Sequence, residues 1–257
     1  MFAKTPRTGV VKTRLAPALA PGAAARLVGA FIGDLAERIG ALQGPLGATA
    51  IVCYTPPDAA NEIGALTGGL RCLAQRGCDL GERLASAVRD LRDGGFEQIV
   101  FIGSDAPTLP DTTIERAFAA LENADVAIAA ADDGGYVLLA LGGLHVVLFE
   151  DIPWSTSAVY AVTLERARRA GLEIVELSGW WDVDDGASFE RLRRELAASD
   201  ASPAVPRTRT FLEALAHAGP FTHGASAAAS VVHQVAGRRI GTVPNCAAIE
   251  GGEDFAE

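Results

Sequence analysis

Short apolar runs alternate with longer amphipathic segments along most of this chain. The runs at 49–54, 98–103 and 126–130 are continuous rather than alternating, which is typical of strands buried on both faces of a parallel sheet. Between the runs, apolar residues recur at helical spacing, as at Leu27, Phe31, Leu35 and Ile39. The pattern predicts an α/β fold, a three-layer sandwich with a mostly parallel central sheet.

The full pattern predicts eleven elements, followed by a change in composition. We predict strands over 49–54, 98–103, 126–130, 136–141 and 172–177, and helices over 21–42, 80–91, 112–121, 157–170, 187–196 and 209–218. After residue 198 the sequence becomes rich in Ala, Ser, Pro and Gly. We therefore expect one domain over 1–218 and a weakly ordered tail over 219–257.

Charge and cysteine content exclude several classes of protein. A net charge of -10 argues against a nucleic-acid partner, because a phosphate backbone requires a basic surface. No signal peptide leads the chain and no apolar run reaches the ~20 residues that span a bilayer, so we expect a cytoplasmic protein. The cysteines form no CxxC pair and the histidines at 217, 223 and 233 are irregularly spaced, so buried thiols are favoured over a metal site.

The N-terminal segment combines a glycine turn with cations. Gly9 allows backbone N–H groups to approach an anion, and Lys12 and Arg14 follow at once. The second glycine of a Walker loop is missing. A solvated loop with two cations is the alternative that this segment alone leaves open.

Asp105 follows the predicted strand 98–103 directly. Ligands of open α/β sheets bind beyond the carboxyl ends of the strands, and a carboxylate there can hold a divalent cation such as Mg²⁺ or Mn²⁺. Capping of a turn or of the next helix is the alternative role for Asp105.

A second acidic group, Asp182, Asp184 and Asp185, lies between a predicted strand and a helix. In an extended segment, residues two apart face the same side, so Asp182 and Asp184 can point into one pocket while Val183 packs behind them. Asp185 fits the helix N-cap best, and simple capping is the alternative for all three.

Three further polar segments each allow two interpretations. The residues Asp133, Gly134, Gly135 and Tyr136 fit a tight hairpin turn or a contact with a hydroxylated substrate. Trp154, Ser155 and Thr156 fit helix capping or a ligand-binding turn. Asp79 is predicted to be the N-cap of the helix over 80–91.

Six segments in order resemble a bacterial family of enzymes with the glycosyltransferase-A-like fold. The segments are FAKTPRTGVVKTRLAP, QRGCDLGERL, FIGSDAPTLP, DDGGYVLLAL, PWST and WWDVDDGASFERL, within residues 2–215. Members of this family are described as nucleotide-diphospho-sugar transferases, some linked to arsenosugar biosynthesis, and are akin to phospholactate guanylyltransferase. Members open with a longer apolar strand, so we expect a short first strand here that supports the phosphate loop weakly.

The resemblance implies a role for each polar segment. Lys4, Lys12 and Arg14 would lie near the phosphates of a nucleotide, and the loop from Gln75 to Gly81 near its base or ribose. Asp105 would be the principal metal ligand, with Asp182 or Asp184 completing the shell. The residues 133–136 and 154–156 would line the acceptor side.

Three functions are consistent with these residues. The first is a metal-dependent glycosyltransferase with a nucleotide-diphosphate sugar donor and a small acceptor. The second is a nucleotidylyltransferase that joins a nucleoside triphosphate to a small phosphorylated or hydroxylated acceptor. The third is a non-catalytic nucleotide-binding protein.

Overall fold

The structure, a computed structural model, describes residues 1–16, 18–198 and 203–217. The strands are β1 (Phe2–Lys4), β2 (Ile51–Thr55), β3 (Arg71–Ala74), β4 (Ile99–Ile102), β5 (Val126–Ala131), β6 (Tyr136–Leu141) and β7 (Ile174–Trp180). The helices are α1 (Pro21–Leu46), α2 (Ala60–Leu66), α3 (Leu80–Asp93), α4 (Asp111–Ala120), α5 (Val159–Arg169), α6 (Gly186–Ala198) and α7 (Pro206–His217). The tail expected over 219–257 lies outside the described residues, as do His223 and His233.

The strands form two blocks that meet at β1. The order is β1-β2-β3 in one block, all parallel, and β4-β6-β5-β7 in the other. β6 is antiparallel to β4 and β5, while β5 and β7 are parallel. A parallel bridge between Phe2 and Gly103 joins the blocks, so β1 lies beside the end of β4. The mostly parallel sheet is confirmed.

Alternate residues of each strand face opposite cores, as the period of a strand requires. Val52 and Tyr54 pack with α1, α2 and α4 on one face, whereas Ile51 and Cys53 pack with α3 and α5 on the other. A third cluster, around Phe31 and Phe189, joins α1 to α6 and α7. The three-layer α/β/α arrangement predicted from the apolar runs is therefore confirmed.

The predicted elements agree with the structure except over 57–74. There the sequence analysis missed α2 and β3, because α2 has seven residues with one buried side chain and β3 is an edge strand whose residues are exposed or half-buried. The expectation of buried thiols is wrong for Cys78, which is exposed, and Cys72 is only half-buried, whereas Cys53 is buried. Cys246 lies outside the described residues. None of the described helices has the length and apolar character that crossing a membrane requires.

β1 is short, and a cavity lies beside Met1, the residue that precedes it. The three residues of β1 pair with Cys53, Tyr54 and Thr55, and the Met1 ammonium donates to the Ile51 carbonyl oxygen at 2.8 Å. A cavity of about 410 Å³ extends from Met1 between Ile51 of β2 and Ile99 of β4. β1 therefore supports the following loop through its pairing with β2 and through the bridge at Phe2.

A buried carboxylate fastens α7 to α1. Asp34 of α1 is fully buried and accepts hydrogen bonds from the Arg207 and Thr208 backbone N–H groups, at 2.9 and 2.8 Å, and from the Thr208 hydroxyl at 2.7 Å. These N–H groups belong to the first turn of α7, where no carbonyl oxygen of the same helix is available to accept from them. Asp34 thus caps a helix that is distant in sequence.

The substitution Asp34→Ala is expected to lower the free energy of unfolding by roughly 2–4 kcal/mol, since it leaves buried donors of α7 without an acceptor. Glu37→Ala is the matched control, because Glu37 also contacts Arg207 but is 66% exposed. That control is expected to cost less than about 0.5 kcal/mol. Urea denaturation of both variants measures the difference, and equal losses would contradict this role of Asp34.

Candidate active site

Three segments that follow β1, β4 and β7 meet at one edge of the sheet. They enclose a cavity of about 260 Å³ lined by Lys4, Val10, Val11, Lys12, Thr13, Arg14, Val28, Ser104, Asp105 and Asp184. Parallel strands end at the same edge of a sheet, so residues distant in sequence come together there. The N-terminal segment, here called the cationic wall, contributes three cations to this cavity, and the other two segments contribute two carboxylates.

The cationic wall is a turn followed by one turn of 3₁₀ helix. Gly9 has φ +75°, a left-handed conformation that suits glycine, and the 3₁₀ turn covers Thr13–Leu15. The Lys4 ammonium donates to the Val10 carbonyl oxygen at 2.9 Å, and this hydrogen bond links the two ends of the loop over residues 5–9. The Arg14 side chain is exposed at the cavity.

The Lys12 ammonium lies between two carboxylates. Its Nζ is 2.8 Å from Asp105 Oδ2 and also contacts Asp184 Oδ1 directly. The sequence analysis assigned this ammonium to phosphate and these carboxylates to a metal ion, whereas in the structure the two groups pair with each other. Burial opposes the charge on Lys12, but the attraction of Asp105 and Asp184 outweighs it and raises the pKa of Lys12 above its ordinary value.

The loop that carries Asp105 is held in place by contacts from α1 and β7. Arg38 of α1 is buried and donates to the Pro107 carbonyl oxygen at 2.6 Å and to Asp111. Trp180 Nε1 donates to the Thr108 hydroxyl at 3.2 Å. The Val183 N–H donates to the Asp105 carbonyl oxygen at 2.9 Å, which ties the two acidic segments together. The role of Arg38 was missed in the sequence, where it is one of two arginines in α1.

Asp182 and Asp184 lie close together with Asp133. One oxygen of each of the three carboxylates lies within 4.8 Å of the others, while Val183 between them is fully buried. Asp185 accepts from the Ser188 N–H at 2.9 Å at the start of α6, as expected of an N-cap. The spacing in the sequence predicts the pairing of Asp182 with Asp184, but gives no signal that Asp133 joins them.

The surroundings of Asp182 favour its protonated form. Burial, together with the negative charges of Asp184, Asp133 and Asp105, raises the pKa of Asp182 to about 7, against an opposing effect of Lys12. A carboxyl group near neutral pKa can exchange its proton for a cation under physiological conditions.

In the absence of metal ions, Asp182→Asn is expected to gain stability relative to the wild type as pH rises. The unfolded chain loses the Asp182 proton near pH 3.8, whereas the folded wild type keeps it up to about pH 7, so the stability of the folded state falls as the pH rises between these two values. The asparagine variant lacks this loss. Urea denaturation with a chelator, at about pH 5 and about pH 8, measures the difference. A difference between the two proteins that does not vary with pH would contradict the raised pKa.

The predicted acceptor residues fall into two groups in the structure. The residues 133–135 form the turn between β5 and β6, where Asp133 Oδ1 accepts from the Gly135 N–H at 2.8 Å, and Gly134 packs directly on the Ser157 backbone. The backbone of residues 133–135 is therefore a hairpin turn, and this turn brings Asp133 beside Asp182. The Tyr136 hydroxyl is buried and makes no hydrogen bond within the described part of the chain.

The second group lies beside the start of α3. Trp154 packs closely on Gly81: a Cβ atom added to Gly81 would lie 2.8 Å from Trp154 Nε1. Ser155 has φ +65°, and the Thr156 hydroxyl accepts from the Ala158 N–H at 3.3 Å, one residue before α5 begins. The structure therefore brings Trp154 next to the predicted nucleotide loop of residues 75–81.

Two predicted nucleotide-binding residues make internal contacts. Gln75 is buried, and its Nε2 donates to the Cys53 carbonyl oxygen at 2.8 Å. Asp79 is the N-cap of α3, as predicted, and accepts from the Glu82 N–H at 2.8 Å. Both residues hold the loop of residues 75–81 in shape, and its predicted place near the base or ribose of a nucleotide stays a prediction.

The donor set of this edge fits a hard divalent cation. Mg²⁺ and Mn²⁺ take carboxylate oxygens, and Asp133, Asp182 and Asp184 bring one oxygen each within 4.8 Å of the others, without sulfur or imidazole ligands. Asp105, the predicted principal ligand, is linked to this group through the Lys12 ammonium, which contacts both Asp105 and Asp184. The Asp105 and Asp184 side chains are 44% and 37% exposed, so an ion can reach them from solvent.

Comparison with known proteins agrees with this fold. The family model described as "Uncharacterized protein conserved in bacteria (DUF2064)" matches residues 39–156. The crystal structure of a "putative nucleotide-diphospho-sugar transferase" from Desulfovibrio desulfuricans G20 is 33% identical, with a TM-score of 0.76 over 84% of this chain and 93% of that chain. CMP:2-keto-3-deoxy-manno-octonic acid synthetase complexed with CTP is 15% identical, with a TM-score of 0.50 over 76% of this chain and 96% of that chain. No curated protein matches the sequence.

The strand order and the site at the carboxyl ends define a transferase with the nucleotide-diphospho-sugar transferase fold. The likeness to the synthetase supports this fold alone, given its low identity. At 33% identity over 84% of its length, the chain belongs to the same family as the "putative nucleotide-diphospho-sugar transferase", and the DUF2064 model matches part of it, residues 39–156.

Proposed function

We propose that this protein is a metal-dependent glycosyltransferase that moves a sugar from a nucleotide-diphosphate donor to a small acceptor. The observation that carries the proposal is the 260 Å³ cavity in which Lys12 and Arg14 face Asp105 and Asp184. A diphosphate bound through a metal ion requires this combination of cations and carboxylates within one small space.

Each wall has a distinct role in this proposal. Lys4, Lys12 and Arg14 bind the oxygens of the diphosphate, and the Arg14 guanidinium offers a planar fork for two of them. Asp105, with Asp182 or Asp184, holds Mg²⁺ or Mn²⁺. A divalent cation bound there would offset the negative charge that develops on the leaving diphosphate.

The acceptor occupies the side of the hairpin in this proposal. Asp133 lies beside Asp182 and is exposed, so its free oxygen can accept a hydrogen bond from an acceptor hydroxyl. The residues 134–136 and 154–156 extend this side, and the loop of residues 75–81 meets the base or ribose. The motif resemblance adds arsenosugar precursors to the acceptors worth testing.

A second candidate is transfer of a nucleotidyl group from a nucleoside triphosphate to a small phosphorylated or hydroxylated acceptor. The likeness in fold to a synthetase complexed with CTP favours it. In that reaction the same cationic loop holds the leaving pyrophosphate. The two reactions differ in their products, because glycosyl transfer releases a nucleoside diphosphate and nucleotidyl transfer releases pyrophosphate.

A panel of nucleotide sugars and nucleoside triphosphates, each with and without Mn²⁺, tests the proposal by thermal stabilisation and then by product analysis. A ligand at 100 times its dissociation constant stabilises the folded state by about 2.7 kcal/mol, which a melting curve detects. Release of a nucleoside diphosphate supports glycosyl transfer, and release of pyrophosphate supports the second candidate. Stabilisation without turnover against any acceptor would identify a non-catalytic nucleotide-binding protein.

Asp105→Ala is expected to abolish the part of this stabilisation that depends on Mn²⁺, because the variant lacks the principal ligand proposed for the ion. Asp58→Ala is the matched control, since Asp58 is 70% exposed and pairs with Arg7 instead. That control is expected to behave as the wild type. Full metal-dependent stabilisation in the Asp105 variant would show that the metal site lies elsewhere.

A further inference from the structure

Lys12 is an internal cation between the two acidic segments of the site. Its side chain is only 9% exposed, although Asp105 and Asp184 on either side of it are 44% and 37% exposed. Its Nζ lies 2.8 Å from Asp105 Oδ2 and contacts Asp184 Oδ1. The ammonium therefore neutralises the carboxylates that follow β4 and β7 at once.

The backbone directs Lys12 into this position. Lys12 has φ 48° and ψ 46°, a left-handed conformation that non-glycine residues seldom adopt. The 3₁₀ turn that it precedes ends at Leu15, which is fully buried against α1 and α6. A fixed loop thus presents a flexible side chain whose charged end can reach either the carboxylates or the open cavity.

A divalent cation and the Lys12 ammonium cannot share these carboxylates easily. The ammonium already occupies one oxygen of Asp105 and one of Asp184, and like charges at contact distance repel strongly where little water separates them. The same ammonium lines the cavity beside Lys4 and Arg14, where phosphate oxygens would attract it. The carboxylates that now hold Lys12 and the two other cations thus line the same small cavity.

We propose that the Lys12 ammonium is a built-in competitor of the divalent cation, released from Asp105 and Asp184 only when a diphosphate binds. This inference rests on the proposed function and adds to it that the metal ion and the diphosphate bind cooperatively. The metal ion alone binds weakly, because Lys12 occupies the carboxylates. The metal ion and a diphosphate bind together more tightly, because Lys12 then moves from the carboxylates to the phosphate oxygens. By linkage, each ligand then raises the affinity for the other by the same factor.

Calorimetric titrations of the full chain test this inference with two probes, Mn²⁺ alone and a preformed complex of Mn²⁺ with inorganic pyrophosphate. We expect the wild type to bind the complex at least about tenfold more tightly than Mn²⁺ alone. Lys12→Met is expected to bind Mn²⁺ alone about tenfold more tightly than the wild type, and the complex more weakly. The two changes have opposite signs, which a lysine that only stabilises the fold would not produce.

Arg169→Met is the matched control. It also replaces a cation that pairs with a carboxylate, but Arg169 is 77% exposed on α5, where it pairs with Glu165, and it does not line the cavity. The affinity of this control for Mn²⁺ alone is expected to stay within about twofold of the wild type, which is below the range typical of coupled sites. Circular dichroism verifies the fold of each variant, and Lys12→Gln replaces Lys12→Met if the latter does not fold.

Two results would overturn the inference, and they differ in what else they affect. If the wild type binds the complex but the folded Lys12 variants bind Mn²⁺ alone no more tightly, the competition is wrong and the proposed function stands. If the wild type binds neither Mn²⁺ nor the complex, and no ligand of the nucleotide panel either, the proposed function fails together with the inference.

Discussion

The bridge from Lys12 to Asp105 and Asp184 joins three segments that are far apart in the sequence. One follows β1, one follows β4 and one follows β7, and each carries one member of the bridge. An ion pair of this kind is costly to break on one side only, because the remaining charge is left partly buried and without a partner. The shape of the candidate site therefore depends on this contact more than on any other.

The fold supplies the frame that makes the bridge possible. β1 pairs with β2 and touches the end of β4 through Phe2, so the N-terminal loop emerges beside the loop that carries Asp105. Arg38 fixes the second loop from α1, and the bond between Val183 and Asp105 fixes the third. Asp105, Asp184 and Arg14 remain accessible from solvent while Lys12 is largely buried between the carboxylates, as suits a binding site set between rigid elements.

Much of the fold follows from local patterns. The run at 99–102 is apolar on every residue because both faces of β4 are covered, and such runs are visible in the sequence. β3 was missed since it lies at an edge, where partial exposure removes the signal. The strand-end position of Asp105 and the two-residue spacing of Asp182 and Asp184 could be predicted in the same way.

The contacts across the site could not be predicted, because they depend on how distant segments meet. Lys12 was predicted to bind phosphate. In the folded chain it pairs with the carboxylates of Asp105 and Asp184, because a largely buried ammonium needs a nearby negative charge. Asp133 lies beside Asp182 and Asp184 because its hairpin packs on the segment that precedes α5. The sequence around Asp133 does not predict this packing. The hydrogen bond by which Gln75 fastens its loop to β2 gave no signal in the sequence either, and the contact of this loop with a nucleotide stays a prediction.

The central claim is that this edge of the sheet binds a metal ion and a diphosphate together. A crystal structure of the protein with Mn²⁺ and a nucleoside diphosphate, with the ion located by its anomalous scattering, tests it most directly. The account predicts one manganese peak within about 2.5 Å of oxygens of Asp105 and of Asp182 or Asp184, with the diphosphate against Lys12 and Arg14. A manganese peak away from these carboxylates, or a diphosphate outside the cationic loop, would contradict it.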